Sequence, residues 1–143
     1  MKADQLSIFL ENRAGRLAEV TKSLSDAGIN IRALSLADTS DFGILRLIVS
    51  DFEKARQVLK EKGFTVGRTS VVAVGVPDRP GGLHELLELF GKNGINVEYM
   101  YAFVQQSGAE ATIIFRFDRT EQAIELLQAN NITIIPSQKL YSM

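Results

Sequence analysis

The sequence predicts an α+β protein made of two tandem βαββαβ units, each a four-stranded antiparallel sheet with two helices on one face. The segment Asn-Arg-Ala-Gly-Arg-Leu at residues 12–17 returns as Asp-Arg-Pro-Gly-Gly-Leu at residues 78–83, and Gly-Ile-Asn at residues 28–30 returns at residues 94–96. The offset is 66 residues in both cases (12 to 78, 28 to 94). Within each copy, short β-prone runs alternate with segments of helical periodicity, so the duplication sets the architecture.

Local patterns place the elements of the first copy. Leu17, Val20 and Leu24 follow helical spacing, and Gly28 is a plausible helix end. Residues 38–41 have the composition of a turn. The elements are predicted at residues 6–10 (strand), 14–27 (helix), 29–36 and 44–49 (strands), 52–63 (helix) and 64–74 (strand).

The second copy repeats this order. Its first helix is lined by Leu83, Leu86 and Phe90, its second by Ala123 and Leu127, and strands are expected at residues 96–104, 111–117 and 132–135. The domains are therefore predicted at residues 1–70 and 71–143. Because so small a unit buries little core, we expect oligomerisation.

Composition excludes several classes of function. Sixteen basic against 17 acidic residues give a net charge of −1, which does not favour nucleic acid. The absence of cysteine excludes disulfides, thiolate catalysis and cysteine-based zinc sites. No apolar run approaches the roughly 18 residues of a membrane helix. We expect a cytoplasmic protein with no metal and no cofactor.

The two repeated loops carry the candidate chemistry. Gly15 and Gly81 allow close approach to a ligand or a positive φ. The amide groups at a helix start attract a carboxylate. Asn12 and Asp78 could meet an ammonium group or cap the helix, and the pattern leaves both open. Pro80 is expected in the first helical turn.

Asn30 and Asn96, at the head of the next strand, are expected close to these loops. Their side-chain amides would offer both a donor and an acceptor to an α-amino acid. Alternatively, Gly-Ile-Asn simply ends the helix.

These motifs resemble the signature of the ACT domain, and the resemblance covers essentially the whole chain as two copies. It implies a ferredoxin-like fold that associates side by side and binds amino acids between domains. The ligand-binding residues expected in the first copy are Asn12, Arg13, Ala14, Gly15, Arg16, Leu17, Asn30 and Ile31. Those expected in the second are Asp78, Arg79, Pro80, Gly81, Gly82, Leu83, Asn96 and Val97.

The resemblance implies a non-catalytic sensor, expected as a homodimer, that regulates an enzyme of amino-acid metabolism. The chain is also similar to the regulatory small subunit of acetolactate synthase. The alternative function is therefore a regulatory subunit or assembly module of a biosynthetic enzyme. Histidine, branched-chain and aromatic amino acids are candidate ligands. A serine-specific branch of the family has a histidine where Leu10 and Val76 stand, which argues against serine. A small enzyme is a third reading, but no nucleophile–base pair is apparent.

The copies differ in detail. Tyr99 and Tyr101 replace Ala33 and Ser35, so the first pocket is expected to be roomier and the first copy the better site. Whether these tyrosines border the ligand or pack against a partner domain stays open.

His84 and the loop arginines have simpler readings. His84 is expected at the surface, because it lacks metal-ligating neighbours. Arg13 and Arg79 could clamp a carboxylate or pair with a neighbouring chain.

Overall fold

The computed structural model describes residues 1–38, 41–103 and 110–143, which form two compact units. The N-terminal unit is Asp4–Thr69 with Ser142, and the C-terminal unit is Ser70–Tyr141 with Met1–Ala3 and Met143. We propose that they are the two domains expected at residues 1–70 and 71–143.

The N-terminal unit has a sheet with the strand order β2-β3-β1-β4, in which β3 pairs antiparallel with both neighbours. Leu45, Leu47 and Val49 on one face of β3 belong to the same buried cluster as residues of both helices. The predicted α+β class is thus confirmed. The elements are β1 (Ala3–Glu11), α1 (Arg16–Asp26), β2 (Ile31–Asp38), β3 (Phe42–Val49), α2 (Phe52–Glu61) and the first part of β4 (Thr65–Pro77).

The two helices of this unit bury one stripe each. α1 buries Val20 and Leu24, which were placed at helical spacing by the sequence. α2 begins after Asp51, whose side chain accepts a hydrogen bond from the Lys54 amide at 3.1 Å. Such a cap satisfies a helix-start amide and sets where the helix begins.

The C-terminal unit repeats the arrangement with the order β4-β6-β5. Its core contains three phenylalanines: the Phe90 ring lies 4.8 Å from Phe117 and 5.8 Å from Phe115, edge to face in both cases. Phe115 and Phe117 stack at 5.4 Å. The elements are α3 (Gly82–Lys92), β5 (Val97–Ala102), β6 (Glu110–Phe117), α4 (Thr120–Ala129) and α5 (Ser137–Ser142).

The predicted strand at residues 132–135 is reduced to a single bridge between Val74 and Ile134. The Gly75 amide donates to the Thr133 carbonyl at 2.9 Å, but the ladder stops at Pro136, where the chain turns into α5. Proline has no amide hydrogen for a ladder, and it suits the start of a helix. Helix α5 was not expected.

Three residues of the predicted elements lie outside the described residues. They are Thr39 and Ser40 of the predicted turn and Val104 at the end of a predicted strand.

We predict that Phe115→Ala lowers the free energy of unfolding by about 3–5 kcal/mol, because it opens a cavity among the three rings. Met100→Ala is the control, since Met100 is 41% exposed in the same unit. Urea denaturation of both variants measures the difference. Equal losses for the two would contradict this account of the core.

Candidate functional site

The loop between β1 and α1 is exposed and is shaped by Gly15. This glycine is the N-cap residue of α1 with a φ of 90°, in the left-handed region. The Arg13 amide donates to the Glu11 carbonyl at 2.9 Å, and the Glu19 amide donates to the Gly15 carbonyl at 3.0 Å. The chain therefore leaves the strand through a tight turn and enters the helix directly.

The loop between β4 and α3 has the same backbone arrangement. Gly81 caps α3 with a φ of 86°. The Arg79 amide donates to the Pro77 carbonyl and the Glu85 amide to the Gly81 carbonyl, both at 3.0 Å. Pro80 precedes the cap instead of lying in the first helical turn, so that expectation was wrong.

The N-cap residues of both helices, Gly15 and Gly81, have no side chain that could cap the helix start. The capping role considered for Asn12 and Asp78 stays a prediction. First-turn amides have no partner within their own helix, and the helix dipole makes this end positive. Both loops thus present polar groups suited to an anionic group of a ligand.

Within this chain, each of the two loop arginines pairs with a glutamate of its own unit. The Arg13 Nε lies 2.9 Å from a Glu11 oxygen, and the Arg79 Nη2 lies 3.0 Å from Glu85 Oε2. Exposed pairs of this kind contribute about 0–1 kcal/mol, so an incoming ligand can replace them at little cost.

Arg16 is more enclosed than the other loop arginines. Its side chain is only 17% exposed, its Nη1 lies 2.6 Å from Glu19 Oε2, and its Cζ lies 4.5 Å from the centre of the Phe64 ring. The guanidinium therefore fills the space beside the start of α1 and stacks on an aromatic face.

Asn30 and Asn96 lie at the other end of their units. The Asn30 amide donates to Ser50 Oγ at 3.0 Å, and the Asn96 amide donates to Asp118 Oδ1 at 3.0 Å. Ser50 and Asp118 follow the far ends of β3 and β6. These asparagines use their backbone amides here, and within the described residues no partner is found for their side-chain amides.

The expectation that Asn30 lies near Asn12 in the same unit was therefore wrong. The 11 residues of α1 separate them by about 16 Å, because each residue advances a helix by about 1.5 Å. The strand register agrees: Glu11 pairs with Phe42 at one end of β3, and Ile31 pairs with Val49 at the other. A single amino acid cannot contact both asparagines of one unit.

The segment around Asn30 borders an open depression of about 670 Å³ in the N-terminal unit. Thr21 and Ser25 of α1 line it together with residues 28–31. The Asn30 end therefore offers a polar surface of its own, distinct from the loop.

Tyr99 and Tyr101 lie opposite Arg116 and Ile114 of β6, whereas the neighbouring Phe115 faces the buried cluster. Alternation along the strand puts both tyrosines on the face that the helices do not cover. Nothing in their position supports a role in narrowing the loop pocket.

His84 lies on the exposed side of α3, as expected. Its Nε2 is 3.2 Å from Glu88, and Lys92 contacts the same carboxylate at 2.8 Å. The hydrogen bond and charge of Lys92, with the charge of His84, lower the pKa of Glu88. The described residues contain no cluster of three or more His, Asp or Glu suited to a metal.

One feature of the site was missed by the sequence reasoning. A cleft of about 430 Å³ in the C-terminal unit lies beside the start of α3. It is lined by Val76, Pro77, Gly82, Leu86 and Ile132, with Glu85 as a charged member. The available signal was the replacement of Arg16 by Gly82 between the copies.

The model of the ACT domain pair family matches residues 1–143. The chain belongs to this family. No curated protein sequence matches it. Among the helices of the described residues, none has the length and apolar character needed to cross a bilayer.

Solved structures show the same fold for the ACT domain pair. Protein BT0572 from Bacteroides thetaiotaomicron is 40% identical with a TM-score of 0.94, covering 100% of this chain and 98% of that one. The ligand-free regulatory subunit of aspartate kinase from Thermus thermophilus is 17% identical with a TM-score of 0.62, covering 88% and 91%. The regulatory subunit of aspartate kinase from Thermus flavus is 19% identical with a TM-score of 0.62, covering 90% of each chain.

We predict that Gly81→Ala destabilises the C-terminal ACT unit by about 1–2 kcal/mol, because alanine is strained in the left-handed region. Gly91→Ala in the same helix is the matched control. No atom lies within 4 Å of its added methyl group, so alanine should stabilise the helix by about 1 kcal/mol. Thermal or urea unfolding measures both. A stabilising Gly81→Ala would contradict the loop conformation.

Proposed function

We propose that this protein is a non-catalytic regulatory protein that binds a free amino acid between ACT domains. The observation that carries the proposal is the duplicated loop. Each copy enters its helix through a left-handed glycine, which offers no side chain of its own to cap the helix start. Backbone amides and the helix dipole suit the carboxylate of an amino acid. Membership of the ACT domain pair family supports the same reading.

The position of Asn30 and Asn96 supports a site made by two domains. Because each lies at the opposite end of a helix from the loop of its own unit, a small ligand meets the loop of one domain and the asparagine of another. The carboxylate would lie at the helix start, and the side-chain amide of the asparagine would receive the ammonium group and complete the contact.

The proposed binding residues are those expected from the sequence, now divided between two contributing surfaces. The loop surface consists of residues 12–17 or 78–83, and the other surface consists of Asn30 with Ile31, or Asn96 with Val97. A ligand held by both surfaces favours one relative orientation of the two domains, which is the basis of a population shift.

The regulated partner is proposed to be an enzyme of amino-acid metabolism in the cytoplasm, with the protein acting as a homodimer. Structural neighbours named as regulatory subunits of aspartate kinase share the fold and support a regulatory role. The alternative is a regulatory subunit or assembly module of a biosynthetic enzyme, similar to the acetolactate synthase small subunit. In a pure assembly module the loops would be structural.

We predict that at least one of the twenty amino acids raises the unfolding temperature in a thermal-shift screen. A ligand at 100 times its Kd stabilises the folded state by about 2.7 kcal/mol, which is readily measured. A flat screen at millimolar concentrations would contradict amino-acid binding and favour the assembly module.

We predict that Asn30→Ala or Asn96→Ala raises the Kd of that amino acid about tenfold, although both positions are remote from the loops of their own units. A hydrogen bond to a charged group contributes about 1.5–3 kcal/mol, which accounts for a change of this size. Asn130→Ala is the control, because the Asn130 side chain is bonded to the Leu126 carbonyl at the end of α4. Calorimetric titration measures the three variants. Unchanged binding in both test variants would contradict a site made by two domains.

A further inference from the structure

The two ACT units place different residues at equivalent positions beside the helix start. With the offset of 66, Gly82 takes the place of Arg16, and Glu85 that of Glu19. After the second helix the offset is 68, so Ile132 takes the place of Phe64. The structure supports this alignment, because the preceding residues, Gly63 with φ 86° and Asn131 with φ 57°, are both left-handed.

In the N-terminal unit, the Arg16 side chain fills the space beside the start of α1. The Arg16 guanidinium lies over the Phe64 ring at 4.5 Å and is bound to Glu19 at 2.6 Å. A long side chain on an aromatic surface thus occupies the space beside the helix start.

In the C-terminal unit the same position is open. Gly82 has no side chain to fill this space, and the close Pro77 carbonyl oxygen leaves no room for a residue with a Cβ atom there. Ile132 is smaller than the phenylalanine it replaces. The result is a small cleft, open to solvent, that Gly82, Leu86 and Ile132 line beside the start of α3.

The charges near this cleft are of both signs. Glu85 lines it, and Arg79 lies beside Glu85, with Nη2 3.0 Å from Oε2. Both side chains are more than half exposed, so the pair opens at little cost. The remaining lining is apolar, and Val76 and Leu86 are almost completely buried. An apolar cleft beside one carboxylate and one guanidinium complements a zwitterion with an aliphatic side chain.

We propose that the cleft of the C-terminal unit binds the side chain of an aliphatic α-amino acid such as leucine. The isobutyl group lies between Leu86 and Ile132, the ammonium group lies between Glu85 and the asparagine of the other domain, and the carboxylate lies at the start of α3 beside Arg79. The N-terminal unit does not take this side chain, because Arg16 fills the equivalent space. This inference rests on the proposed function and adds to it the ligand class and the unit that binds.

The sequence favoured the first copy as the better site, and the proposal reverses that order. The order is reversed because of where these residues lie in the folded unit. Ala33 and Tyr99 lie away from the helix starts, so they do not decide which copy is open. The exchange of Arg16 for Gly82 decides which copy is open.

Calorimetric titration of the full chain with leucine, 3-methylbutylamine, 4-methylpentanoate and glycine tests the proposal. The amine lacks the carboxylate, the acid lacks the ammonium group, and glycine lacks the side chain. We expect leucine to bind at least about tenfold more tightly than each of the others, since each lacks one matched group.

Three variants locate the site. Ile132→Phe introduces the residue of the N-terminal copy and narrows the cleft, and Glu85→Gln removes the charge without changing the shape. Both should raise the leucine Kd at least about tenfold, since a filled cleft excludes the side chain and Glu85→Gln takes the opposite charge away from the ammonium group. Glu19→Gln in the other unit is the matched control and should leave the Kd within about twofold. Unfolding temperatures of the variants without leucine show that each is folded, and Leu86→Phe replaces Ile132→Phe if that variant is not.

The outcomes separate the two claims. If leucine binds and neither Ile132→Phe nor Glu85→Gln weakens its binding, the cleft is not the site, and the proposed function stands. If only non-aliphatic amino acids bind, the ligand class is wrong, and the proposed function again stands. If none of the twenty amino acids binds, both are overturned.

Discussion

The left-handed glycine at each strand-to-helix junction is the constraint on which the rest of this structure depends. Gly15 and Gly81 turn the chain from a strand into a helix within a few residues. As N-cap residues they have no side chain to bond the first amides of the helix, a role for which Ser, Thr, Asp and Asn are preferred. One backbone conformation therefore does two things: it turns the chain so that the first helix of each unit packs against the sheet, and it leaves the N-cap position without a side chain.

The two copies share this backbone conformation but have different side chains beside the helix start. Beside the first loop, Arg16 stacks on Phe64 and closes the unit with its own side chain. Beside the second, Gly82 leaves a cleft with Glu85 at its edge. The two copies therefore present different surfaces beside equivalent helix starts.

The sequence predicted the architecture well, because the repeated loops and the helical spacing of residues such as Val20 and Leu24 are local signals. It failed where the answer depends on three-dimensional position. The weak last strand near Ile134 depends on how far a ladder continues before a proline. The separation of Asn30 from the loop depends on the direction of α1, which the motif alone does not contain. The cleft depends on Ile132, which lies about 50 residues from Gly82 along the chain, coming to line the same space as Gly82 and Leu86.

The most direct test of the central claim is a crystal structure of the protein grown with leucine. We predict electron density for leucine beside the start of α3, with its side chain against Leu86 and Ile132, and Arg16 unmoved over Phe64. Leucine found beside Arg16 instead, or only at positions remote from both loops, would contradict the account.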